Sequence, residues 1–230
     1  MNKQEFLEYV KAFCKDHGIE FKTFDGHVAY TVVANIEANG FFEHNKNISP
    51  TLGIALEMAD EQMFYEVLAH EFCHAQQYLE NSPYWTGSRL TDEEVATYSK
   101  VLGKDITGWE TGDLFQAWLD KELEICPVVL DNIVERTTGV EFDCESRTIA
   151  LAQKMGLEIN PQEYAQKANA YLLTYYFALK TRTWTTPGYG PAYNQAVYTK
   201  MPTDINQEYC KNISPELVEL IKTHCIVKED

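Results

Sequence analysis

The segment QMFYEVLAHEFCHAQQYLE, residues 62–80, constrains the fold of this chain more than any other stretch. Its apolar residues Phe64, Val67 or Leu68, and Phe72 recur three to four positions apart, which places them on one stripe of an α-helix. Asn81-Ser82-Pro83 ends the pattern, because proline cannot continue a helix and pushes the residue before it toward extended backbone. Such a stripe must be buried against something.

The preceding residues supply the partner. From about residue 20 to 58 the texture is short β-prone runs: Phe21 to Phe24, Ala29 to Ile36, Phe41 to His44 and Leu52 to Met58. Asp25-Gly26, Asn39-Gly40 and Ser49-Pro50 read as the turns between them. An opening helix over 3–16 carries Phe6, Tyr9, Val10 and Phe13 at helical spacing, and His17-Gly18 stops it. Further helices are expected near 92–102, 112–121, 126–136, 141–155, 161–182 and 214–223, with Asn160-Pro161 and Ser214-Pro215 as cap followed by proline. The fold class is therefore α+β: a small, mostly antiparallel N-terminal sheet packed on the helix of residues 62–80, then a mainly helical C-terminal part. No linker divides the chain, so residues 1–230 read as a single domain, sheet-containing to about 80 and helical from about 81. Between Thr183 and Pro202 the helical pattern dissolves into a long Pro-, Gly- and Tyr-rich loop, read as a surface wrap packed on the helices.

Charge narrows the partners. Nineteen Lys and Arg stand against 35 Asp and Glu, a net charge of −16, so the mean surface field repels phosphate backbones and anionic headgroups. Neither nucleic acid nor membrane is an expected partner. No apolar run approaches the roughly 20 residues of a membrane helix, and the opening MNKQEFLEYVKAFCKDHG has no signal-peptide core, so the expected compartment is the cytoplasm. Six cysteines without a CxxC pair read as reduced and mostly buried.

Within the helix of residues 62–80, His70-Glu71-Phe72-Cys73-His74 is an HExxH sequence. Positions i and i+4 share a helix face, so both imidazoles can meet one metal ion, and Glu71 can reach a water on that ion. Phe72 and Cys73 read as packing residues. Zinc with three protein ligands keeps one position open, lowers the pKa of its water to near 7 and polarises a carbonyl. Glu71 then takes the water's proton and returns it to the leaving amine. Manganese, cobalt or nickel suit similar nitrogen and oxygen donors.

The third ligand is not local. Where an extended metzincin pattern requires glycine and a further ligand, this chain has Gln77 and Glu80. Without the glycine the helix continues and carries Glu80 about 9 Å along its axis from His74. His224 is the only later histidine and a poor candidate. A dense acidic cluster remains in Val140-Glu141-Phe142-Asp143-Cys144-Glu145-Ser146-Arg147, where Glu141 and Glu145 are one turn apart.

HExxH followed dozens of residues later by a glutamate opening a second helix resembles the gluzincin class of zinc metallopeptidases. Their second motif is commonly Glu-x-x-Ala followed by Asp or Asn, as in the ImmA/IrrE-like family. Laid on EFDCE, that motif puts Glu141 in the ligand position, Cys144 in the place of alanine and Glu145 in that of the Asp or Asn. Glu145 is the alternative ligand; otherwise Glu145 and Asp143 would be partners that orient the histidines. The succession HEFCHAQQ, EFDCESR and an AN-containing helix followed by Tyr and Trp also looks like metallopeptidases encoded by bacteriophages. The resemblance covers about a third of the chain. It implies a zincin-like fold and a zinc-dependent peptidase acting on polypeptides, with Zn2+ on His70, His74 and Glu141, Glu71 as general base, and an intracellular or virion-associated product. Two readings compete with an enzyme: a catalytically weak zincin-like binding or regulatory protein, and a metal-stabilised phage structural protein.

Other residues have lesser claims. Tyr164, Asn169, Tyr171, Tyr175 and Tyr176 on the helix of residues 161–182 read as core packing. Tyr189 or Tyr193 could donate to a developing oxyanion. Arg147 and Arg182 are expected in ion pairs with nearby acids. The edge strand for an extended peptide is expected around Thr51 to Met58.

Overall fold

A computed structural model describes residues 1–32, 36–45, 48–186 and 188–227. The protein is α+β, mostly helical with a small three-stranded sheet. The chain groups into two compact units, residues 1–82 with 146–160, and residues 83–145 with 161–230. Among the described residues no helix is long and apolar enough to cross a membrane.

The first unit opens with α1 (Lys3–Asp16), whose N-terminus is closed by a capping box between Asn2 and Glu5. Strands β1 (Glu20–Phe24), β2 (Ala29–Tyr30), β3 (Glu37–Ala38), β4 (Gly40–Asn45) and β5 (Ile48–Ala55) follow, then α2 (Glu61–Glu80). The sheet order is β1-β5-β4, with β2 and β3 forming a separate antiparallel pair. Part of the expected run from Ala29 to Ile36, residues 33–35, lies outside the described residues.

Three sequence expectations need correction here. First, β5 is the central strand, so the segment expected to offer a free edge is paired on both sides. Its five successive buried residues, Thr51 to Ala55, are the mark of a strand covered on both faces. Second, the sheet is mixed, because β1 runs parallel to β5 while β4 runs antiparallel to it. Third, Ser49-Pro50 is not an interruption, whereas Asn39-Gly40 does separate β3 from β4 as expected. Gly40 opens β4, and Pro50 lies in β5 opposite the register shift between Glu43 and Asn45, where an irregular ladder tolerates a missing N–H.

Helix α2 carries the core of this unit. Phe64, Leu68 and Phe72 are fully buried. Phe72 meets the edge of Phe13 at 4.8 Å between ring centres and Tyr9 at 5.8 Å, while Phe6 lies 6.2 Å from Tyr65. On the sheet, Gly53 leaves room for Phe41, whose ring edge occupies the place where a Cβ would be. Asn81 ends α2 in the left-handed conformation at φ 47°, and Ser82 N–H closes back on Gln77 O at 3.0 Å.

The second unit comprises α3 (Pro83–Ser88), α4 (Asp92–Leu102), α5 (Thr111–Leu119), most of α6 (Pro127–Met155), α7 (Pro161–Thr181), α8 (Gln195–Tyr198), α9 (Gln207–Lys211) and α10 (Pro215–Cys225). Leu114, Phe115, Ile133, Val134, Leu172, Leu173, Phe177 and Ile221 share one apolar core. The two helices expected at 126–136 and 141–155 are one. Thr137 and Thr138 turn their hydroxyls onto the carbonyls of Ile133 and Val134, at 2.9 and 2.8 Å. A Cβ on Gly139 would stand 3.3 Å from the Tyr84 ring. Such packing outweighs the roughly 1 kcal/mol that glycine costs inside a helix. Residues 146–155 of this unbroken helix group with the first unit.

The stretch from Thr183 to Pro202, of which Pro187 lies outside the described residues, contains a 3₁₀ turn at Pro191–Tyr193 and α8. Pro191, Val197 and Met201 are buried. Five of the six cysteines are buried, and burial pushes the Cys14 thiol up to about 12.

Arg136 pins α6 to the chain around α4. Its guanidinium donates to the Gly87 and Arg89 carbonyls, at 2.7 and 2.6 Å, and to both oxygens of Glu94. Burial alone would raise the Glu94 pKa, but Arg136 and the Thr91 N–H outweigh it and hold the carboxyl below its usual range. The folded state therefore gains stability from Glu94 above the unfolded pKa of about 4.3. It loses that stability as pH falls through the lower folded value. In acid denaturation, Arg136→Ala should flatten the loss of stability below about pH 4.3; an unchanged acid limb would show that the pair is not coupled to folding. In the first unit, Phe72→Ala should cost about 3–5 kcal/mol in urea unfolding of metal-free protein.

Candidate metal centre

Helix α2 brings His70, Glu71 and His74 together without help from any other element. At 100° per residue, positions 70 and 74 differ by 40° around the axis, and the structure places their Nε2 atoms 3.1 Å apart with the rings nearly perpendicular, at 87°. His74 is buried and its Nδ1 lies 2.9 Å from Gln77 Oε1. An amide oxygen only accepts, so Nδ1 carries the proton and Nε2 presents its lone pair toward His70. Two nitrogens bound at about 2.0–2.1 Å to a tetrahedral ion stand about 3.3 Å apart. The pair fits such an ion; without one, the same spacing admits an N–H···N hydrogen bond between the rings.

Gln77 is the residue that sequence reasoning passed over. In the sequence Gln77 reads only as a departure from glycine, yet three residues after His74 is within reach on one helix face. It is fully buried. The local surroundings are completed by β4, which runs along α2: a Cβ on Gly40 would stand 3.1 Å from Glu71 Cγ, while Phe42 and His44 meet the Tyr78 ring at 5.7 and 4.4 Å. At the C-terminal end of α2, Glu80 is no ligand candidate. It accepts from Arg147 at 2.7 Å, the ion pair expected of that arginine.

The acidic cluster lies on α6 in the second unit, on the turn just before the residues that group with the first. Glu141 and Asp143 are half-buried, Cys144 and Glu145 fully or nearly so. Glu145 accepts a short hydrogen bond from the buried Tyr164 hydroxyl of α7. Tyr171, two turns further along the same face, lies 3.1 Å from Tyr175, hydroxyl to hydroxyl. Burial first, then the charge of Glu141, raises the Tyr171 phenol well above its ordinary value, so it remains a hydrogen-bond donor. The tyrosine stripe of α7 thus does more than pack: the Tyr164 hydroxyl donates to an acid of α6, and the Tyr171 phenol feels the charge of Glu141.

The remaining candidates have plainer surroundings. Tyr189 and Tyr193 are exposed, 52% and 63%, on the 188–193 segment. His224 lies near the end of α10, where its carbonyl accepts from Asn194. Arg182 pairs with Glu124 at 2.8 Å and donates to the carbonyls of Trp118 and Leu123.

If Gln77 fixes the His74 tautomer, Gln77→Leu should weaken zinc binding by about 10- to 100-fold in chelator competition, with metal-free stability as the control for packing. Equal affinity would remove Gln77 from the site.

Comparison of the chain with protein-family models, curated proteins and solved structures yields no match.

Proposed function

We propose that this protein is a zinc-dependent peptidase of gluzincin type, with a zincin-like arrangement of sheet and HExxH helix, in which His70, His74 and Glu141 hold the metal. The observation that carries the reading is the convergence of two imidazole nitrogens at 3.1 Å, one ring held by Gln77, next to a glutamate in sequence. A purely structural zinc site closes with four protein ligands and has no use for that glutamate.

Bound zinc would lower the pKa of a water and polarise a substrate carbonyl. Glu71 accepts the proton of the attacking water and delivers it to the leaving amine. Strand β4 is an edge of its sheet among the described residues, and it lies against Glu71 through Gly40. An extended polypeptide pairing with β4 would have its backbone fixed beside the base, so the edge we assign to substrate is β4 and not β5. The net charge of −16 favours encounter with neutral or basic polypeptides.

Glu141 supplies the carboxylate of the gluzincin pattern, with Glu145 the alternative carboxylate. Cys144, buried on the same turn, is a competing donor of softer chemistry, since thiolate also binds zinc.

Protein purified without a metal-affinity tag should contain one zinc per chain, by mass spectrometry of the metal, and His70→Ala should lose it. Glu71→Gln should keep zinc and fold while peptide hydrolysis falls by three or more orders of magnitude, about 4 kcal/mol of barrier. Glu141→Ala should weaken zinc more than Glu145→Ala or Cys144→Ala; a larger loss in either of those reassigns the ligand. Zinc retained with no hydrolysis of any peptide would favour a binding or regulatory protein, and no metal uptake at all would defeat the proposal.

A further inference from the structure

We propose that Gly40 is a positioning residue for Glu71, an inference that rests on reading Glu71 as the general base. Glycine weakens a strand, because it loses the most backbone freedom on folding and offers no side chain to pack. Its use in β4 therefore needs a reason. Backbone conformation is not that reason, since Gly40 does not occupy the left-handed region that excludes other residues. Space is. A Cβ at Gly40 would stand 2.7 Å from Val67 Cγ1, 3.1 Å from Glu71 Cγ and 3.1 Å from Ile54 Cδ1.

These three neighbours are not equally able to move. Ile54 is fully buried and is the residue paired with Gly40 across β4 and β5. Val67 is β-branched and helical, which leaves it essentially one χ1 rotamer. Glu71 is half-buried with three rotatable bonds, so it is the member that yields to an added methyl. Conversely, the bare Gly40 backbone occupies one flank of the Glu71 stem and removes the rotamers that would cross it. Holding a carboxylate in few rotamers beforehand avoids an entropy cost at the moment of proton transfer. The same contact sets the distance between the edge strand and the base. Gly40 touches no reacting atom in this scheme and acts only through Glu71.

The test compares Val67→Ala with the double variant Gly40→Ala/Val67→Ala in the full-length protein. Val67→Ala removes the 2.7 Å collision, and the double variant keeps the two 3.1 Å approaches, to Glu71 Cγ and to the buried Ile54 Cδ1, of which Glu71 is the one able to yield. We expect the two to share melting temperature and zinc content. Side-chain couplings of labelled Glu71, read by NMR in both proteins, should show a changed χ1 population in the double variant. With a cleaved peptide, kcat should fall by about 10- to 100-fold with KM little altered. Unchanged Glu71 couplings, or unchanged kcat despite shifted couplings, would overturn the proposal. If wild-type protein cleaves no peptide, the peptidase reading fails on its own. The NMR comparison then still decides whether Gly40 holds the Glu71 side chain.

Discussion

Burial of one stripe of α2 against α1 and the sheet is the interaction on which the rest of the first unit depends. Phe64, Leu68 and Phe72 are driven out of water by the ordinary hydrophobic effect, and their burial fixes the rotation of the helix about its own axis. Once that rotation is set, so is the direction of every other side chain on α2. His70 and His74 leave the helix on another flank, and Gln77 follows on the next turn. The core therefore acts on the chemistry without touching it: a helix free to roll would scatter its two imidazoles among orientations.

The sheet contributes by what it lacks. Gly53 admits the Phe41 ring and Gly40 admits the Glu71 stem, so two missing methyl groups let β4 and β5 pack closely against what lies on them. Both glycines weaken their strands, and the packing they permit outweighs that loss.

In the second unit the dominant tension is between burial and charge. Acids on α6 are partly or wholly withdrawn from water, which is unfavourable for a carboxylate unless donors compensate. For Glu145 a donor comes from α7, whose Tyr164 hydroxyl meets it. Tyr171, raised in pKa by burial and by Glu141, stays neutral beside the acids and adds no like charge. An α7 stripe that reads as apolar packing is thus also the polar lining of an acidic turn.

Local pattern alone was enough for α1, α2, α4, α7 and α10, because each has an apolar period and a cap or proline that neighbouring residues can supply unaided. The HExxH spacing likewise specified the imidazole pair, since a helix of 3.6 residues per turn brings i and i+4 together whatever surrounds it. Strand order, the central place of β5 and the continuity of α6 through Thr137-Thr138-Gly139 were decided by contacts between residues far apart in the chain. Register and edge status depend on which strand finds which neighbour, and a helix survives a glycine when Tyr84 fills the space beside it. Gln77 and Gly40 stand on both sides of this division. Their positions are written in the sequence, but an amide becomes the anchor of His74, and an absent methyl the mould for Glu71, only when folding brings acceptor to donor and strand to helix.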